Sequence, residues 1–126
     1  MGAVALVAVL AGCGGKHAAP LPARCRLGVY FRPGATPAQV DAVRHRLEHN
    51  SRLTRVAYVS KAEAFRIMKR RHPELMQAVK MNPFPDALLV HPRTHDDYAP
   101  IARTLLPQPP GVATVHYPRF GPCARA

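Results

Sequence analysis

The chain is poor in the groups that most enzymes work with. It has two serines, Ser51 and Ser60, and seven acidic residues against 18 lysines and arginines. Ser60 sits where a helix cap is expected, and the acidic residues form no convincing catalytic pair. There is no glycine-rich phosphate loop and no G-x-S-x-G. These shortages exclude serine-hydrolase, paired-carboxylate and phosphate-cradle chemistry, so the chain is read as a non-enzyme that needs no cofactor. No complete metal set is present either. His45 and His49 lie four apart on one helical face, a spacing that suits zinc. The surrounding R-H-R-L-E-H is dense with arginine, Glu48 points elsewhere, and no cysteine completes a tetrad. His91 and His95, which flank a Pro-containing turn, are likewise read as solvated surface. No stretch reaches the ~20 apolar residues of a membrane-spanning helix.

What the sequence does hold begins with charge. A net +11 over 126 residues predicts attraction to polyanions: anionic lipid headgroups, cell-wall polymers or nucleic acid. The apolar run over residues 2–12 is short enough for the h-region of a secretion signal. It ends in L-A-G-C, which resembles a bacterial lipobox, so residues 1–12 are read as a signal peptide and Cys13 as the lipidated residue. The alternative is a merely apolar tail. Residues 13–24, rich in Gly, Ala and Pro, form a tether. Cys25 and Cys123 then stand at the two ends of everything that looks folded. In an oxidising compartment they can close a loop around nearly the whole domain, worth about 4–5 kcal/mol in the chain-entropy model. The other reading is two unrelated buried thiols.

The folded part alternates strands and helices. Residues 26–32 (R-L-G-V-Y-F-R) read as a strand stopped by Pro33-Gly34. Thr36, Pro37 and Gln39 predict a capped helix to about His49, with Val40, Val43 and Leu47 inward. A strand follows over residues 53–59. S-K-A-E at Ser60 predicts a second capping box and a helix to about Arg71. A short helix is expected over residues 73–80, and residues 87–90 read as a buried strand. Asp97 is the expected cap of a last helix over residues 98–106, before a final strand over residues 112–117. L-T-R-V-A-Y (53–58) and V-A-T-V-H-Y (112–117) match in pattern, and each follows a helix. Two strand–helix–strand units predict an α+β fold: a ferredoxin-like split βαβ sheet domain with a two-helix lobe, residues 60–86, inserted between its halves.

Taken together, S-K-A-E-A-F (60–65), the paired short helices, N-P-F-P (82–85), G-V-A-T-V-H-Y (111–117) and V-Y-F-R-P-G-A-T-P-A-Q-V (29–40) resemble the extracellular domain of the permease-like cell division protein FtsX. The resemblance covers residues 25–118 and leaves 119–126 as a tail carrying Cys123. It implies a two-lobed extracytoplasmic module. In FtsX this module lies between membrane-spanning helices, pairs with the ATPase FtsE, and docks and activates peptidoglycan hydrolases. Here the lipid at Cys13 is expected to serve as the membrane anchor, and the docking role is the one carried over. An RNA-recognition module shares the ferredoxin-like order and would suit the positive charge. Its third strand would carry stacking aromatics, whereas this one reads A-L-L-V, and export separates the chain from RNA. No nucleic-acid partner is therefore expected.

The expected interaction surface is the lobe. Apart from Met1, every methionine lies there, and methionine suits adaptable contact surfaces. The candidate partner-binding residues are Phe65, Met68, Leu75, Met76, Met81 and Phe84. A lobe this small cannot bury all of them, so some must pack on the sheet domain or stay open as a groove. Arg66, Lys69, Arg70 and Arg71 rim it and suit an acidic partner or anionic lipid. The expected partner is a cell-envelope protein, with a peptidoglycan hydrolase leading. The alternative is a structural module that binds wall or membrane surface without activating anything.

Overall fold

The computed structural model describes residues 21–124. The leader, Cys13 and most of the tether therefore lie outside the described residues. Four strands, β1 (Leu27–Phe31), β2 (Leu53–Val59), β3 (Ala87–Pro92) and β4 (Val112–His116), form one sheet in the order β2-β3-β1-β4. Every neighbouring pair is antiparallel. Helices α1 (Pro37–Glu48) and α4 (Tyr98–Arg103) complete the two strand–helix–strand units, while α2 (Lys61–Arg71) and α3 (Pro73–Gln77) lie between β2 and β3. This is the split βαβ arrangement expected from the repeated pattern.

The period of two in the strands decides which side is dry. Leu27, Val29 and Phe31 of β1 and Leu88 and Val90 of β3 share one core with Val40, Val43 and Leu47 of α1 and Tyr98 and Ile101 of α4. Each such apolar side chain, moved out of water, contributes about 1.5–3 kcal/mol. Helices thus cover one face of the sheet, and Arg26, Gly28, Tyr30, Arg55, Ala57, Leu89, His91 and His116 alternate onto the other, as the register pairs them. Gly28 is required on that outer face. A Cβ there would fall 2.6 Å from the Tyr30 hydroxyl, so the tyrosine ring lies across the glycine.

The predicted cap of α1 is present in both halves. Thr36 Oγ1 accepts from the Gln39 amide at 3.2 Å, and Gln39 Oε1 accepts from the Thr36 amide at 3.0 Å. Gly111 makes room for it, since with φ 89° a Cβ at this position would sit 2.8 Å from Gln39 Oε1.

Three local expectations are corrected. Ser60 Oγ does cap α2 by accepting from the Glu63 amide at 3.1 Å. The Glu63 carboxylate turns away to Arg66 and leaves the capping box half made. A nearby guanidinium on the next turn offers two charged donors, a stronger partner than one backbone amide. Helix α3 stops at Gln77 rather than Lys80. Asp97 does not cap α4 through its side chain. Its carboxylate closes a preceding 3₁₀ turn, His95–Asp97, by accepting from the Thr94 amide at 3.0 Å and the Thr94 hydroxyl at 2.9 Å.

Cys25 and Cys123 are joined in a disulfide, Cα atoms 5.1 Å apart, across 98 residues of sequence. The returning tail is held on the helical side: Tyr117 stacks on Tyr98 at 5.7 Å, and the Cys123 carbonyl lies 2.9 Å from His95 Nδ1.

Candidate docking site

The lobe is fastened to the sheet by its own loop. Asn82, the first residue of N-P-F-P, uses its side-chain oxygen to accept from the Phe84 amide at 2.9 Å, a local turn of the Asx kind. Its amide nitrogen donates to the Lys61 carbonyl at 2.8 Å, on the first turn of α2. Asp86 completes the clamp by accepting from the Lys61 amide at 2.8 Å. A carboxylate at a helix N-terminus is also favoured by the helix dipole. Sequence alone does not mark Asn82 and Asp86 as lobe-positioning residues: the one signal for Asn82 is its place before a proline in a forced bend, and nothing local marks Asp86.

Within that frame the six candidate residues divide. Met76 is buried, at 4% exposure, and anchors α3. Phe65, Met68 and Phe84 are half-buried, and the rings of Phe65 and Phe84 pack in a tilted pair with centroids 6.4 Å apart. Leu75 and Met81 are open to solvent, at 64% and 82% exposure. None of the six joins the main core. A crevice of about 210 Å³ runs along the junction of lobe and sheet, lined by Phe31, Pro33, Lys61, Asn82, Phe84 and Pro85 among others.

The surroundings are cationic. Lys69 Nζ stands 4.6 Å from the Phe65 ring centroid, a cation–π placement. Lys69, Arg70 and Arg71 close the last turn of α2, where the helix dipole favours positive charge. Arg66 is tied to Glu63, and that hydrogen bond and charge hold the Glu63 carboxyl below its usual range. Behind the lobe, partial burial and then the nearby Asp86 carboxylate push the Tyr58 hydroxyl up, while Arg44 over its ring opposes them. An apolar, cation-rimmed surface of this kind can hold an acidic and hydrophobic partner, and it carries no nucleophile–base arrangement. The histidine pair of α1 is spoken for locally: His49 Nδ1 lies 2.7 Å from the His45 carbonyl. Among the described residues no three His, Cys, Asp or Glu side chains cluster as a metal site.

The whole arrangement has counterparts among known proteins. The family model described as the FtsX extracellular domain matches residues 24–119. A search of curated proteins gave no match. The crystal structure of extracellular domain 1 of FtsX from Streptococcus pneumoniae, in complex with undecyl-maltoside, is similar at a TM-score of 0.61 and 20% identity. That likeness covers 76% of this chain and 96% of that one. The solution structure of the large extracellular loop of FtsX in the same species is similar at 0.61 and 21% identity, covering 75% and 99%. At these identities the structural likeness establishes the fold, and the family model establishes the kinship. The chain belongs to the FtsX extracellular domain family.

Proposed function

We propose that this FtsX extracellular domain is an exported lipoprotein, anchored through Cys13, whose helical lobe docks a protein of the cell envelope. Domains of this family are extracytoplasmic, non-catalytic modules that engage protein partners in cell division. Among the described residues no helix is long and apolar enough to cross a membrane. The L-A-G-C run ending at Cys13 supports the lipid anchor, and a peptidoglycan hydrolase is the leading partner.

The observation that carries the reading is the open apolar edge of the lobe. Leu75 and Met81 stand in solvent beside the Phe65–Phe84 pair, outside the main core. Exposed large apolar groups grouped on one small element favour a contact surface. The streptococcal domain in its complex with undecyl-maltoside offers a parallel for a fold of this kind accepting an alkyl-bearing ligand. The direct test is crosslinking in the envelope with Leu75→Glu/Met81→Glu against the native chain. Loss of a crosslinked hydrolase in the variant, with unchanged thermal unfolding, supports the docking edge. Unchanged capture rejects it. Mass measurement of the mature membrane form tests the anchor through cleavage before Cys13, the added diacylglycerol and the two-proton deficit of the disulfide.

A further inference from the structure

The sheet has two ends with different equipment. The lobe leaves from one: β2 runs into it at Val59 and β3 returns from it at Ala87, a paired position. The chain from the tether arrives at the other, where Cys25 is bonded to Cys123 and Leu27 pairs with Val90. At that end, Arg55 is opposite His91 in the register, and Arg26 follows on β1 beyond the Leu27–Val90 pair, all on the face turned away from the helices. His116, opposite Gly28, faces the same way. Arg26, Arg55 and His116 are exposed and His91 is half-buried. Four residues of strand, about 13 Å, separate the Arg55 position from the Val59 position where the lobe begins.

This outer face holds positive charge with nothing to offset it. No strand contains an Asp or Glu. The ion pairs among the described residues lie elsewhere: Arg44 with Asp41, Arg52 with Asp97, and Arg66 with Glu63. Arg26 and Arg55 make no hydrogen bond or ion pair there, and partial burial, followed by the charges of Arg55 and Arg26, holds the His91 imidazole below its ordinary range. Between them lies an uncharged stretch, with Leu89 flanked across the strands by Ala57 and by Gly28, which the Tyr30 ring covers.

We propose that this outer sheet face, at the tether end, docks on the anionic phospholipid surface of the membrane that holds the anchor. The proposal rests on the lipid-anchor reading for its geometry. Eleven residues separate Cys13 from Cys25, a reach of at most roughly 40 Å, which limits how far the arginines can stray from the headgroups and lets them touch these. A guanidinium presents a planar fork that matches lipid phosphate. Docked this way, the sheet lies along the bilayer with α1 and α4 on its far side, and the lobe extends beyond the Val59–Ala87 end of the sheet.

The test uses the chain from residue 13 onward with Cys13→Ser, which carries no lipid. Its fold does not need the leader, because the whole core cluster lies between Leu27 and Val112. Sedimentation with phosphatidylglycerol–phosphatidylcholine vesicles is compared with phosphatidylcholine vesicles alone. Binding is expected only to the anionic vesicles. It should fall about 30-fold in Arg26→Gln/Arg55→Gln, and much less in the equal-charge control Arg70→Gln/Arg71→Gln on the lobe. Equal loss in both variants, binding that ignores phosphatidylglycerol, or tighter face-dependent binding to single-stranded RNA or a phosphate-bearing wall polymer would overturn the proposal. Both exchanges are at exposed positions, and unchanged thermal midpoints confirm intact folds. An unlipidated mature protein would remove the anchor reading without altering the vesicle result, so the two failures are told apart.

Discussion

The sheet body and the helical lobe are built to different standards. The body packs two helices on one face of the sheet, and residues such as Leu27, Leu47 and Ile101 are wholly excluded from water. The lobe has one buried side chain, Met76, among the described residues, and for its position it leans on one hydrogen bond that Asn82 donates and two that Asn82 and Asp86 accept. The body is over-determined, whereas the lobe is held in place by a clamp and a few half-buried contacts. The docking role proposed for the lobe suits the less stable end of such a range.

The comparison can be broken hardest at the disulfide. Cys25→Ala/Cys123→Ala should lower the stability of the body by up to about 4–5 kcal/mol, read by denaturant unfolding. Next comes the core, where Leu27→Ala should cost about 3 kcal/mol and shift the global transition. Met76→Ala is expected to cost about 2 kcal/mol, but locally. Hydrogen exchange should quicken at α2 and α3 amides while β1 and β3 stay protected, and a uniform loss of protection would mean that lobe and body unfold as one unit.

A smaller effect comes from Tyr98, whose buried hydroxyl finds no hydrogen-bond partner among the described residues. Tyr98→Phe should stabilise the body by about 1 kcal/mol. Burial pushes the Tyr98 hydroxyl up. Its neutral form therefore favours folding below the unfolded value near ~10, and that contribution is lost as pH rises through the folded one. The variant should flatten the alkaline arm of the stability profile. Smallest is His91, depressed by burial and then by Arg55 and Arg26. Its contribution is present above the unfolded value near ~6.5 and is lost as pH falls through the folded one. NMR titration should show its pKa rising in Arg26→Gln/Arg55→Gln.

The parts of the fold legible in the sequence are those set by local chemistry. Thr36, Pro37 and Gln39 specify a helix start through contacts three residues apart, and the alternation in β1 and β3 shows which side chains turn inward. The repeated strand–helix–strand pattern points to the split βαβ class, and the sheet bears that out. The rest depends on partners far along the chain. Asp86 clamps a helix 25 residues upstream. Asp97 stands where a cap is expected, but the Thr94 amide and hydroxyl lie within reach of its carboxylate and hold it in the preceding turn. Of the candidate docking residues, composition identified the lobe but not which members are open. That division arises because α3 is one short turn, with room to hide Met76 and none for Leu75.

The sulfur bridge has a mechanical meaning. The tether joins the body at β1, a strand hydrogen-bonded on both sides, to β3 and β4. A pull directed along that strand loads two ladders in shear at once, instead of peeling them open pair by pair. Cys25 also passes part of the load straight to the tail at Cys123, so the terminus beyond β4 is hauled along rather than left behind.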